Sequence, residues 1–264
     1  MLAVFALRLA VGMIACLLLL PPLTLPSLPK GGEGWVRGAI NPRFFRTHFL
    51  TALALAGVAL AAVREDADWL PLTFLGTALF LAFVGSMVWG LEGAPGGRTF
   101  VVSTTASLAG ALVLLETTSV DRSQWPGVLL GDATSAALLG AALTAMLLGH
   151  SYLIAPTMSL TPLLRLLAVL AVATVARAAV EGCALGNWTA THSLVSLKEG
   201  EAAYLLPLRW LLLFPGLLGL NWMAWQSARI RSTQSATGIL YVAVIFCFLG
   251  ELLSQLLRGS GTTF

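Results

Sequence analysis

The residues of this chain whose types could carry chemistry fall into two groups, each scattered through the sequence. One contains Arg46, His48, His150, Ser151, Tyr152, Arg165 and Gln234. Imidazole, phenol and guanidinium groups at one depth supply hydrogen-bond donors for the carbonyls of a quinone-type headgroup and a route for its protons. That makes Arg46, His48, His150, Tyr152 and Arg165 candidate quinone contacts. A neutral imidazole is also the usual haem ligand, so His48 and His150 are the pair from which a b-type haem would be hung. The plainer alternative is that Arg46 and Arg165 extend to lipid phosphates while the two histidines cap helix ends.

The other group, Arg8, Asp132, Arg177, Glu181, Arg209 and Glu251, has three cations and three anions. Charges inside a membrane bundle pair with one another or line a water-filled cavity, and equal numbers allow pairing to account for all six. Arg209 and Glu251 are expected at one depth in adjacent helices, so they are the expected buried pair. The cysteines, Cys16, Cys183 and Cys247, form no C-x-x-C pair and no C-x-x-C-H site. Neither iron–sulfur ligation nor a covalently attached haem is expected from that spacing, and no metal site is expected.

What must position these groups is a set of membrane helices. The 264 residues are 58% hydrophobic and only 10% charged, with a mean hydropathy of +0.88. Soluble domains carry about 25% charged residues, so this chain cannot cover a globular surface with polar groups. Its net charge of +3 is too small and too dispersed for nucleic-acid binding. A helix needs roughly 20 predominantly apolar residues to cross the hydrocarbon. By that measure about eight spans are expected, at 2–20, 49–63, 70–91, 100–115, 128–149, 163–180, 205–225 and 238–257. No segment alternates polar with apolar as barrel strands do. The expected fold is therefore all-α, a polytopic helical bundle forming one transmembrane domain over residues 1–264. Arg8 lies inside the first apolar run, unlike the basic head of a secretory signal, so the first span is read as a helix. Gly131, Ala136, Gly140 and Ala141 form a small-residue stripe suited to close helix packing in lipid. No internal repeat is legible in the residues, although four spans plus four is geometrically possible.

Orientation follows from lysines and arginines in the connections. Lys30, Arg37, Arg43, Arg46, Arg98, Arg165, Arg229 and Arg231 fall in odd-numbered loops, against Arg64, Arg122, Lys198 and Arg258 on the other side. The bias puts both termini outside, the first group at the cytoplasmic interface and the second in the outer half. The two long connections, 21–48 and 181–204, are expected to lie on the membrane surface, the second held by Trp188, His192 and Tyr204.

With about eight spans, outer termini and a last helix carrying Gly250–Glu251–Leu252–Leu253, the chain resembles the membrane-anchor subunits of bacterial molybdenum oxidoreductases, of the dimethyl sulfoxide reductase anchor and polysulfide reductase type. The resemblance implies a haem-free subunit of a respiratory complex in the bacterial cytoplasmic membrane. Such a subunit takes electrons from a quinol and passes them to an iron–sulfur or cytochrome partner. In that family the Gly-Glu pair is commonly followed by an Arg and aromatic residues, whereas Ser254–Gln255–Leu256–Leu257 stands here. Two other classes compete. A small-solute transporter would place helix interruptions in corresponding positions of two halves; Pro215–Gly216 in the seventh span and Gly85 in the third are the candidates, but they do not occupy matching positions. A purely structural membrane subunit needs only low charge and short loops.

Overall fold

The computed structural model describes residues 1–20, 40–63, 68–91, 96–118, 120–154, 158–191 and 202–259. Lys30, Arg37, Arg64, His192 and Lys198, used above for orientation and surface anchoring, lie outside the described residues. The regular elements among those described are helical: α1 Leu2–Cys16, prolonged by a tight turn to Leu19, α2 Pro42–Ala62, α3 Trp69–Val88, α4 Gly97–Thr117, α5 Trp125–Ile154, α6 Thr161–Thr191, α7 Ala202–Leu211, α8 Leu217–Arg229 and α9 Thr233–Gly259. With α7 and α8 forming one continuous segment, eight are long and apolar enough to cross a membrane. Backbone polar groups have no water partner in hydrocarbon, which is why long apolar runs resolve as helices.

Most helices run beyond their apolar stretches. Asn41 starts α2 seven residues before the first strongly apolar run, by accepting the Arg43 N–H at 2.9 Å with Pro42 in the first turn. At the other extreme α6 continues to Thr191. Glu181 and Trp188, expected in a surface connection, are therefore helical, because nothing between Val180 and Thr191 stops hydrogen bonding along the helix.

The seventh span is broken in the middle. Pro215 has no N–H to offer and its ring would meet the carbonyl one turn back. The chain widens into a π turn over Leu212–Gly216, in which the Leu217 N–H reaches the Leu212 carbonyl. Gly216 is required there: a Cβ would lie 2.9 Å from the Leu211 oxygen and 3.0 Å from the Phe246 ring.

Packing divides the bundle into two halves of four spans. In the first, α1 packs on α2, α2 on α3, α3 on α4, and α4 returns to α1; in the second, α5 packs on α6, α6 on α8, α8 on α9, and α9 returns to α5. The halves meet along α1 and α5, the first helix of each. Gly12 and Gly140 make that seam. A Cβ on Gly12 would overlap the Ala136 carbonyl, and one on Gly140 would overlap the Gly12 backbone. Without side chains at those points the two backbones touch, which is how helices gain dispersion energy in lipid. Phe5 adds an edge contact to Phe248 across the same seam, ring centres 5.6 Å apart. Pro215–Gly216 and Gly85 both fall on the third span of their half. Only Pro215 interrupts its helix, since Gly85 lies within unbroken α3 and makes room for the Phe49 ring.

Candidate functional site

The six charges of the outer group come together at the end of the bundle where α1 begins and α9 ends. Arg8 lies six residues into α1, about 9 Å along its axis, and Glu251 eight residues from the end of α9, about 12 Å. At that depth an unpaired charge is costly. Arg177 is the hub. Its Nε donates to Glu251 Oε1 at 2.9 Å and its Nη2 to Glu251 Oε2 at 3.2 Å, with neither residue measurably exposed. Its Nη1 donates to the Gly131 carbonyl at 3.0 Å, and Glu181, one turn further along α6, lies 2.9 Å away. Ser135 on α5 donates to Glu251 Oε2 at 2.7 Å.

This arrangement corrects the expected pairing. Arg209 forms its ion pair with Glu181, at 2.6 Å, while Glu251 is bound by Arg177. Depth alone could not choose between two arginines at similar heights. The π turn bears on it: Leu213 of that turn packs on Gly250, where a Cβ would lie 2.7 Å from the leucine side chain, so α9 meets the turn through its glycine. Glu251, the next residue, then faces α5 and α6.

A second ion cluster crosses the seam. Arg8 on α1 contacts Asp132 on α5 at 2.5 Å and Glu116 on α4 at 3.2 Å. Glu116 and Arg258 were missed as members of the site because each terminates an apolar run and reads as a loop or tail charge. Helices longer than their apolar stretches carry both inward. With them the site holds four arginines and four carboxylates, so its formal charge is zero.

Two cavities adjoin this network. The larger, about 370 Å³, is lined by apolar Val120, Val128, Val180 and Ala184 and by charged Glu116, Arg177, Glu181 and Arg258. The smaller, about 210 Å³, lies between the halves against Arg8, Glu116, Gln255 and Arg258. Arg258 and Glu116 border both. Guanidinium groups stay charged at any accessible pH and offer fixed forks of donors. The arrangement can therefore neutralise and orient a polar group, with apolar wall behind it.

The other collection does not assemble. His48 is buried, donating from Nδ1 to the Phe44 carbonyl of its own helix at 2.9 Å, with its ring 4.3 Å from that of Phe44. Tyr152 is buried too, and its hydroxyl donates to the Ser159 carbonyl in the α5–α6 connection. Arg46, His150 and Arg165 are exposed. The helices bearing the two histidines, α2 and α5, each pack extensively on α1, which lies between them. So the His48 and His150 rings are held on different helix pairs, and Tyr152 is spent on a loop carbonyl. Among the described residues no group of three or more His, Cys, Asp and Glu is placed to hold a metal, and the cysteines are free thiols, with Cys183 exposed and Cys16 and Cys247 buried.

No protein-family model, no curated protein and no solved structure matches this chain.

Proposed function

We propose that this chain is a multi-pass transporter of a small solute, seated in the cytoplasmic membrane of a bacterium with both termini outside. The observation that carries the reading is the position of the cavities. They adjoin the seam between two four-span halves, at membrane depth, and are walled by buried ion pairs. Transporters bind cargo where two halves of a bundle meet, and rocking of one half against the other is how they expose it alternately. Charges inside a bundle mark pathways by default. The glycine crossing supports the same reading, because bare backbones at Gly12 and Gly140 offer a pivot with no side chains to disengage.

Two-sided accessibility tests it. Cys183 is replaced by Ser and a single cysteine is introduced by Ala184→Cys, on the wall of the larger cavity. A membrane-impermeant thiol reagent is then applied to sealed vesicles of either orientation. Reaction from both sides supports transport. Reaction from the terminal side alone refutes it.

One observation favours a second reading, the quinol-interacting anchor subunit of a redox complex with an iron–sulfur or cytochrome partner. Glu251, from the Gly250–Glu251–Leu252–Leu253 segment, sits within the network beside the larger cavity. On this reading the quinone headgroup occupies that cavity instead of the His48 and His150 interface. Co-purification of a redox partner in mild detergent, followed by an absorption spectrum, distinguishes the two.

A further inference from the structure

Resting on the reading of the larger cavity as a ligand site, we infer that its ligand is a monoanionic carboxylate on a small apolar body, gripped by Arg258. Among the described residues Arg258 is the one arginine of the site with no carboxylate within ion-pair distance, while Arg8, Arg177 and Arg209 each have at least one. It borders both cavities. Gly131 opens the space in front of it: Arg258 Nη2 lies 3.6 Å and Arg177 Nη1 3.5 Å from the point where a Cβ would stand. Two guanidinium groups thus converge on one bare patch of α5. Converging cations at a cavity wall suit an oxyanion, and a planar guanidinium matches a carboxylate with two parallel hydrogen bonds.

The carboxylates of the same wall already have cationic partners. Glu181 is held by Arg177 and Arg209, and Glu116 by Arg8. A second donor stands ready nearby. Gln255 is more than nine-tenths buried on the wall of the smaller cavity, and among the described residues its amide nitrogen has no hydrogen-bond partner; Arg8 Nε and Nη1, on the same wall, have none among them either. Charge fixes the valence. The eight ionic groups already sum to zero, so a single negative charge is the most that low-dielectric surroundings accept without a large penalty. The apolar residues Val120, Val128, Val180 and Ala184 then contact the body of the ligand.

Hexanoate, hexanol and hexylammonium serve as probes that differ only in the head group. Binding is measured by calorimetry on the purified chain in phosphatidylcholine nanodiscs. Hexanoate should bind at least tenfold more tightly than either analogue. Arg258→Gln should weaken it tenfold or more, with Arg258→Lys intermediate. Ala184→Trp, which fills the cavity while leaving every charged residue in place, should abolish binding while the thermal midpoint of unfolding stays within a few degrees. Equal binding of hexanoate and hexanol, or an Arg258→Gln variant with wild-type affinity, overturns the inference. So does loss of hexanoate binding in phosphatidylglycerol discs or with inorganic phosphate, since either makes this a phosphate site. Binding without two-sided labelling of residue 184 sinks the transport reading alone, and two-sided labelling without hexanoate binding sinks only the carboxylate.

Discussion

The pairing of Arg177 with Glu251 gives the sharpest quantitative test of the structure. Both side chains are fully buried and joined by two charge-assisted hydrogen bonds, at 2.9 and 3.2 Å. The two single substitutions are not equivalent. Glu251→Gln leaves Arg177 beside Glu181 and still bonded to the Gly131 carbonyl, so the cost is that of bonds to a charged group, about 2–3 kcal/mol. Arg177→Gln removes the cation bonded to Glu251, leaving its carboxylate with Ser135 and leaving Glu181 to Arg209. Stranding a buried charge costs about 3–5 kcal/mol. The double variant should lose less than the sum, with a coupling of about 2 kcal/mol or more. Neutral hydrogen bonds between membrane helices average below about 1 kcal/mol, so that coupling marks an ion pair in dry surroundings. Reversible unfolding in mixed micelles with rising dodecyl sulfate, followed by the fluorescence of the eight tryptophans, measures it. Arg209→Gln with Glu251→Gln should show less than half the coupling. Additive losses at Arg177 and Glu251, or stronger coupling at Arg209 and Glu251, refute the arrangement.

Other outcomes follow from the packing. Gly12→Ala and Gly140→Ala should each destabilise by about 1–3 kcal/mol or more through overpacking at a backbone contact. Gly57→Ala, where a Cβ meets none of the described residues within 4 Å, should be neutral or slightly stabilising in the same unfolding assay. Tyr152→Phe should cost about 1 kcal/mol by freeing the Ser159 carbonyl, whereas His150→Leu, at an exposed position, should leave stability within about 0.5 kcal/mol. Single cysteines at Gly34 and Gly261, in a Cys183→Ser background, should react from opposite sides of sealed vesicles. Reaction of both from the same side refutes the orientation.

The helices were legible in the sequence because apolar length is a one-dimensional property, and so were the six charges that had to be buried inside them. The partners were not. Which arginine reaches Glu251 depends on the rotation of α9, and that is set by Leu213 against Gly250, a contact created by a π turn that composition only hints at through Pro215–Gly216. Glu116 and Arg258 escaped notice for a related reason. Hydropathy sees where apolar residues stop, not where the helix stops, and both residues lie within the helix beyond that point. The stripe of Gly131, Ala136 and Gly140 was readable as a packing face, but its two uses were not: Ala136 and Gly140 receive α1, while Gly131 faces guanidinium groups. For the histidines, a shared depth says nothing about which helices are neighbours, and α2 and α5, which carry them, each pack on α1.

The seam carries its own mechanical prediction. Among the described residues Arg8 with Asp132 is the ion pair that joins the two halves, and it lies toward one end, while the glycine crossing lies about one helical turn deeper. Rocking about the crossing would separate Arg8 from Asp132. Arg8 has a second carboxylate, Glu116 at 3.2 Å, and that one belongs to its own half. It can therefore lose one partner and keep the other, so the opening never strands a cation in the bundle, a penalty of several kcal/mol. Asp132 in turn remains next to Gly131, on which Arg177 and Arg258 converge. Removing the retained partner should raise the cost of opening. Glu116→Gln is expected to slow, by tenfold or more, the change in labelling of Ala184→Cys between the two faces of sealed vesicles, with Glu116→Asp close to wild type. If Glu116→Gln exchanges as fast as the parent while Asp132→Asn remains folded, Arg8 does not trade partners and the pivot is not at the glycines.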